Sequence, residues 1–201
     1  MRLAIIERMG KEGPPVTDRI SRNVGQTELA ICTGDITRQT TEAIVNAANS
    51  GLRGGGGVDG AIHRAAGPSI LQECQDYVRA NGPLPPGKAM WTHGGNLSAR
   101  YVIHTVGPIY QNEETSAPIL RCAYLESMKL AEELGGRSLS FPLISTGAYG
   151  YPVDAAARVA LQAIVGFLRT GSTMELIQIV CFTADTFTAC ETALRGLVKN
   201  G

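Results

Sequence analysis

The sequence predicts a three-layer α/β/α domain with a central mixed or largely parallel sheet, and three observations carry that prediction. Near-continuous apolar runs of strand length alternate with helical patterns along the chain. No internal repeat, low-complexity tail or linker divides it. A length of 201 residues with ordinary globular composition suits one domain with a sizeable core, or one domain plus a short extension.

The elements follow in order. The opening twenty or so residues contain "GKEGPPVTDRI", with paired prolines and charges, and read as an extension or an edge strand followed by a loop. This divides the chain into an extension at 1–20 and a domain at 21–201. "ELAICTGDI" and "AIVNAAN" are strands. "DGAIHRAAG" is a short helix that Gly67 ends, with Pro68 in the first turn of the next helix, "PSILQECQDYV". "GKAMWTHGG" and "YVIHTVGP" are further strands. In "APILRCAYLESMKLAEELGG" the residues Leu120, Ala123, Tyr124, Leu130, Ala131 and Leu134 recur at helical spacing, with Gly135 as C-cap. "SLSFPLIS" is a strand. In the helix "PVDAAARVALQAIVGFLRTG" the polar Arg158, Gln162 and Arg169 form a narrow stripe, so most of the helix is covered. The strand "ELIQIVCFTA" and the helix "TFTACETALRGLVK" close the fold.

Composition removes several function classes. Lysine plus arginine and aspartate plus glutamate each number 18, and no long single-sign block gives a strong nucleic-acid signal. The five cysteines are scattered and mostly embedded in apolar runs, which suits buried reduced thiols in a cytosolic protein. The three histidines show no metal-ligand spacing, and no Cys-x-x-Cys pair occurs. The apolar run in "MRLAIIERMG" is short for a signal peptide, and no segment is long enough to span a bilayer. The expected location is the cytoplasm.

The chemistry concentrates in "AIVNAANSGLRGGGGVDGAIHRAAG", residues 43–67, where four consecutive glycines join a strand to a helix. A glycine run is often a flexible linker, but here it lies inside one domain without serine-rich or charged flanks. The other reading is a backbone cradle. Glycines let a ligand approach the main chain, and the following helix aims its unpaired N–H groups and positive dipole end at the same place. That combination suits a phosphate or diphosphate. The run lacks the Gly-Lys-Ser/Thr of a Walker loop. Gly55, Gly57 and Gly60 formally match a dinucleotide fingerprint, but several residues separate strand from loop and the next strand ends without a carboxylate.

Asp59, at the helix start, is either a helix-terminal acid favoured by the dipole or a binding group. Facing a polyanion, a carboxylate is unfavourable unless it binds hydroxyls or a water, which points to a sugar beyond the diphosphate. His63 lies four residues on, along the same helix face. Asn46 and Asn49 face opposite sides by strand alternation, so one can satisfy buried groups while the other looks into the crevice at the strand's end. A second loop, Ser145 to Gly150 in "FPLISTGAYGYPVD", is built alike and could clamp a diphosphate from the other side. Ser145 is a poor nucleophile candidate, because no G-x-S-x-G elbow surrounds it. Tyr149 is a lid over the sugar or simple loop packing, with the lid favoured because a phenol suits a half-wet position.

With "GDIT" at 34–37, "AIVNAANSGLRGGGGVDGAIHRAAGP" at 43–68, "YVIHTVGP" at 101–108 and "FPLISTGAYGYP" at 141–152, the sequence resembles the macrodomain family. Within it, the likeness is to the MacroD-type class of ADP-ribose-binding hydrolases, and it covers roughly residues 28–190. The resemblance implies a single macrodomain, with no cofactor and no metal. By the same resemblance, Asp35 accepts a hydrogen bond from the adenine amino group and the Ile36 backbone helps hold the ring. Phe182 is a candidate to pack against the adenine. Gly55, Gly56, Gly57 and Val58, with Ser145, Thr146, Gly147, Ala148 and Tyr149, would wrap the diphosphate. Asn49 and Asp59 would address the distal ribose, His63 would support that end, and Tyr149 would sit over the sugar.

The implied activity is hydrolysis of an ester at C1″ of the distal ribose by a bound water, with Asp59 as general base or as the group that orients the water. The implied partners are ADP-ribose, O-acetyl-ADP-ribose and mono-ADP-ribosylated proteins. Two other roles found in such families are a non-catalytic ADP-ribose reader and a regulator of an RNA-processing enzyme. The Asn49/Asp59 pair favours the hydrolase over the reader. Two departures from the family pattern stand out. "RANGPLPPGKA" lacks a cysteine that several relatives carry before their Pro-x-Gly turn, and the extension at 1–20 has no assignable counterpart.

Overall fold

The computed structural model describes residues 18–198. Most of the predicted extension lies outside them, and the boundary drawn after residue 20 falls inside the first strand. The strands are β1 (Arg19–Val24), β2 (Thr27–Thr33), β3 (Ala43–Ala47), β4 (Ala89–His93), β5 (Tyr101–Thr105), β6 (Ser138–Phe141) and β7 (Leu176–Cys181). The helices are α1 (Gly57–Ala66), α2 (Pro68–Asn81), α3 (Glu113–Glu133), α4 (Val153–Leu168) and α5 (Ala184–Val198), with a short 3-10 turn at Ile36–Arg38.

One seven-stranded sheet runs β1-β2-β7-β6-β3-β5-β4. Its five inner strands pair in parallel, and the edge strands β1 and β4 join antiparallel. The predicted mixed sheet is therefore parallel where both faces are covered and antiparallel only at its edges. Side-chain alternation divides the core between the two faces. Leu29, Ile31, Val45, Ile103, Leu139, Phe141, Ile177 and Ile179 pack on α3, α4 and α5. Cys32, Ile44, Val102 and Val180 face Ile62, Ala66 and Ile70 of α1 and α2. Burying each such aliphatic side chain contributes about 1.5–3 kcal/mol.

Two boundaries correct the sequence reading. Helix α3 begins at Glu113, before the expected Ala117, because Asn112 caps it: its Oδ1 accepts from the Thr115 backbone N–H at 2.9 Å. Pro118 then sits inside the helix instead of at its start. Strand β6 ends at Phe141, short of the expected Ser145, because Pro142 has no N–H for the ladder. The buried Tyr124 hydroxyl of α3 takes over beyond it, donating to the Pro142 carbonyl at 3.3 Å and accepting from the Ile144 N–H at 3.1 Å. That clamp sets where the second loop leaves the sheet.

Candidate functional site

Strands β3 and β6 are neighbours, yet the chain leaves β3 for α1 on one face and β6 for α4 on the other. Such a switch point opens a crevice at the strands' C-terminal ends. A cavity of about 300 Å³ lies there. Asn49, Gly55, Gly56, Gly57, Val58 and Asp59 line it from one loop, and Ser145, Gly147, Ala148 and Tyr149 from the other. Of the predicted diphosphate residues only Thr146 is not in the wall; its hydroxyl donates to the Leu143 carbonyl at 2.9 Å.

Both loops present unpaired main-chain donors. None of the backbone N–H groups of Gly55–Asp59, nor of Ser145–Tyr149, donates to an acceptor among the described residues. No side chain caps α1, whose N-cap is Gly56, so the positive end of the helix is open to the cavity. The wall contains no lysine or arginine. The donors it offers an anion are therefore backbone amides, set in a wall that also carries Ala47, Ala48, Leu143 and Ile144.

The backbone is strained on both sides. Leu52 (φ 50°) and Ser145 (φ 68°) are the non-glycine residues with positive φ among those described, one in each loop. The Leu52 side chain is buried and anchors its loop. Gly107, after β5, was not singled out in the sequence. A Cβ there would stand 2.1 Å from Ser145 Oγ and 2.6 Å from Ile144 Cγ2, so only glycine lets the second loop lie so close. Ser145 Oγ is buried with no hydrogen-bond partner among the described residues.

Asp59 is 6 % exposed. Its Oδ1 accepts from Asn46 Nδ2 at 2.7 Å and its Oδ2 from Asn49 Nδ2 at 3.3 Å. The question of which asparagine faces the crevice resolves at this carboxylate: Asn46 is fully buried behind it, and Asn49 lines the cavity. Asn49 Nδ2 also donates to the Gly54 carbonyl at 2.8 Å, closing its loop. His63 Nε2 lies 3.4 Å from Asp59 Oδ1 but lacks hydrogen-bond geometry. His63 supports Asp59 from behind and is not part of the wall.

Sequence spacing concealed one cluster. His63, Cys74 and His104 bring ligand-capable atoms within 4.8 Å of one another. Both His104 nitrogens are occupied, by Asn46 Nδ2 at 3.1 Å and by Thr92 Oγ1 at 3.0 Å. Burial pushes the Cys74 thiol up to about 12, so it stays protonated at neutral pH. Burial, reinforced by nearby His63 and opposed by Asp59, lowers His104 to about 3. His104 and Cys74 thus form a neutral pair behind Asn46, the residue that donates to Asp59.

Asp35, Ile36 and Phe182 lie outside the cavity wall. They follow the adjacent strands β2 and β7, whose ends are tied by the Gly34 N–H donating to the Cys181 carbonyl at 2.9 Å. Asp35 Oδ1 caps the 3-10 turn, accepting from the Thr37 N–H at 2.9 Å, and Ile36 is buried. Phe182 is 86 % exposed.

The chain belongs to the macrodomain family: residues 45–160 match the model of the Macro domain. It is 49 % identical over 161 residues to a protein of Escherichia fergusonii named O-acetyl-ADP-ribose deacetylase, covering 80 % of this chain and 91 % of that one. It superposes on the Oceanobacillus iheyensis macrodomain solved with ADP at a TM-score of 0.88, with 41 % identity and coverage of 92 % and 98 %. The Trypanosoma brucei macrodomain in complex with ADP-ribose superposes at 0.76, with 40 % identity, over 83 % of this chain and 68 % of that one. No helix among the described residues is long and apolar enough to cross a membrane.

Proposed function

We propose that this protein binds ADP-ribose and hydrolyses esters of its distal ribose, removing mono-ADP-ribose from acidic side chains of proteins and deacetylating O-acetyl-ADP-ribose. One observation carries the reading: two runs of unpaired backbone N–H groups line the same cavity, with the Asn49–Asp59 pair in its wall. The amides would hold the diphosphate, the dominant charge of ADP-ribose. The distal ribose would lie over Asn49 and Asp59 beneath Tyr149, and the adenine across the ends of β2 and β7 near Asp35, Ile36 and Phe182. The deacetylase name of the E. fergusonii relative and the ADP and ADP-ribose complexes of the structural neighbours support the same ligand and reaction.

The chemistry follows from how Asp59 is held. Asn46 occupies Oδ1, and Oδ2 faces Asn49 on the cavity side. A water bound there would be oriented, or deprotonated, by Oδ2 and attack the ester, with a substrate phosphate able to assist. The products are ADP-ribose and a free carboxylate. Alignment of water, ester and ribose would supply much of the acceleration. No cofactor is required. Reduced buried thiols accord with a cytoplasmic setting.

The test compares wild type with Asn49→Ala and Asp59→Ala on both esters, with ADP-ribose affinity measured on the same samples. The expected result is lost release with binding retained. Tight binding by wild type without release from either ester would make the protein a reader.

A further inference from the structure

We infer that His104 and Thr92, neither of which lines the cavity, are positioning residues that set the orientation of Asp59 through Asn46. The inference rests on the reading that Asp59 serves the hydrolysis.

Each link has a fixed direction. An ionised carboxylate only accepts, so the Asn46 atom 2.7 Å from Asp59 Oδ1 is the amide nitrogen. The same nitrogen lies 3.1 Å from His104 Nδ1, which must therefore present a lone pair. The imidazole proton is then on Nε2, donating to Thr92 Oγ1 at 3.0 Å. The Thr92 hydroxyl in turn donates to the His93 carbonyl at 3.1 Å. Donation therefore runs outward from the Asn46 amide, on one side to the Asp59 carboxylate and on the other through His104 and Thr92 to the His93 carbonyl, and no member can reverse without breaking the next.

The sheet builds this chain. Asn46 and His104 are register partners on β3 and β5, and Thr92 on β4 stands diagonally across from His104 on the same face. Asn46, Thr92 and His104 are all fully buried. Cys74 of α2 closes the pocket, its Sγ 3.7 Å from Nε2 and 3.9 Å from Nδ1. The arrangement leaves Asn46 Oδ1 buried without a partner. Turning the amide over would set that oxygen against both the Asp59 carboxylate and the His104 lone pair, so the imidazole tautomer selects the amide orientation. Without the Thr92 acceptor the ring could carry its proton on Nδ1, turning Asn46 and withdrawing the donor from Asp59.

The test uses Thr92→Val, which keeps the shape and loses the hydroxyl, and Thr92→Ser, which keeps the hydroxyl and loses a buried methyl. Turnover of O-acetyl-ADP-ribose, ADP-ribose affinity and melting temperature are measured on each, and nitrogen NMR reads the His104 tautomer in wild type. The expected result is an Nε2–H tautomer in wild type. In Thr92→Val, kcat should fall by about tenfold or more, the scale of a misplaced catalytic group, while affinity stays within about twofold. Thr92→Ser should turn over like wild type. An Nδ1–H tautomer, unchanged turnover in Thr92→Val, or losses in both variants that follow melting temperature would overturn the inference. Should wild type hydrolyse neither ester, the hydrolase reading fails, and the tautomer alone then decides the proton arrangement: Nε2–H supports it and Nδ1–H overturns it.

Discussion

Asn46 Nδ2 stands 2.7 Å from Asp59 Oδ1, a fully buried amide against a carboxylate that is nearly so. Because both groups are shielded from water, loss of the donor is not repaired by solvent. Asn46→Ala is expected to lower stability by about 1–3 kcal/mol, the cost of a buried acceptor left unsatisfied. Ester release should fall further than ADP-ribose affinity does. Urea unfolding and calorimetric titration on the same samples check both.

The cradle glycines separate into two kinds. A Cβ on Gly107 would collide with Ser145 Oγ and Ile144 Cγ2, so Gly107→Ala should displace the second loop and weaken ADP-ribose binding by about tenfold or more. Gly56 has φ of −94° and open space where a Cβ would stand. Gly56→Ala should therefore keep the wild-type melting temperature, and any loss of affinity would come from a methyl group projecting into the cavity. Differential scanning calorimetry and titration together distinguish the two cases.

Ser145 carries strain of a kind glycine relieves. Its φ of 68° is in the left-handed region, where a non-glycine residue costs about 1–2 kcal/mol. Part of that is offset by glycine's freedom in the unfolded chain. Ser145→Gly is expected to leave the protein as stable as wild type or up to about 1 kcal/mol more stable. It should bind ADP-ribose more weakly, since the unpartnered hydroxyl is removed. Urea midpoints and affinities measured side by side would show the opposed changes.

His104 makes stability depend on pH in a defined direction. Its folded pKa is lowered to about 3 by burial first and His63 second, against roughly 6.5 in an unfolded chain. Between those values the unfolded state holds a proton that the folded state does not, so stability is full above the unfolded value and is lost as pH falls. The loss for this group is about 1.4 kcal/mol per pH unit. Urea midpoints at about pH 7 and about pH 4.5 should differ less in His104→Gln than in wild type. Equal differences would contradict the assignment.

The parts legible in the sequence are those whose chemistry is local. Alternation of strand and helix patterns sets the layers, and the glycine run followed by Asp59 marks the uncapped helix terminus that lines the cavity. The second loop was legible for the same reason, as a strand end rich in small and hydroxylated residues. What stayed hidden depends on contacts distant in sequence. Tyr124 reads as one apolar position of a helix, and only its placement beneath Pro142 shows that it clamps the loop. Gly107 looks like a strand-end glycine until Ser145 is packed on it. His104 is 58 residues from Asn46, and its role follows from sheet order. The Asn112 cap, by contrast, is a local signal, an Asn three residues before Thr115 whose backbone N–H it accepts from.

The most direct measurement is ADP-ribose released over time by wild type from excess protein modified on acidic side chains. Release well beyond one equivalent per protein molecule is the expected result, because nothing in the proposed reaction consumes a residue. Saturable binding of ADP-ribose, with no release from that protein or from O-acetyl-ADP-ribose, would contradict the hydrolase and leave a reader.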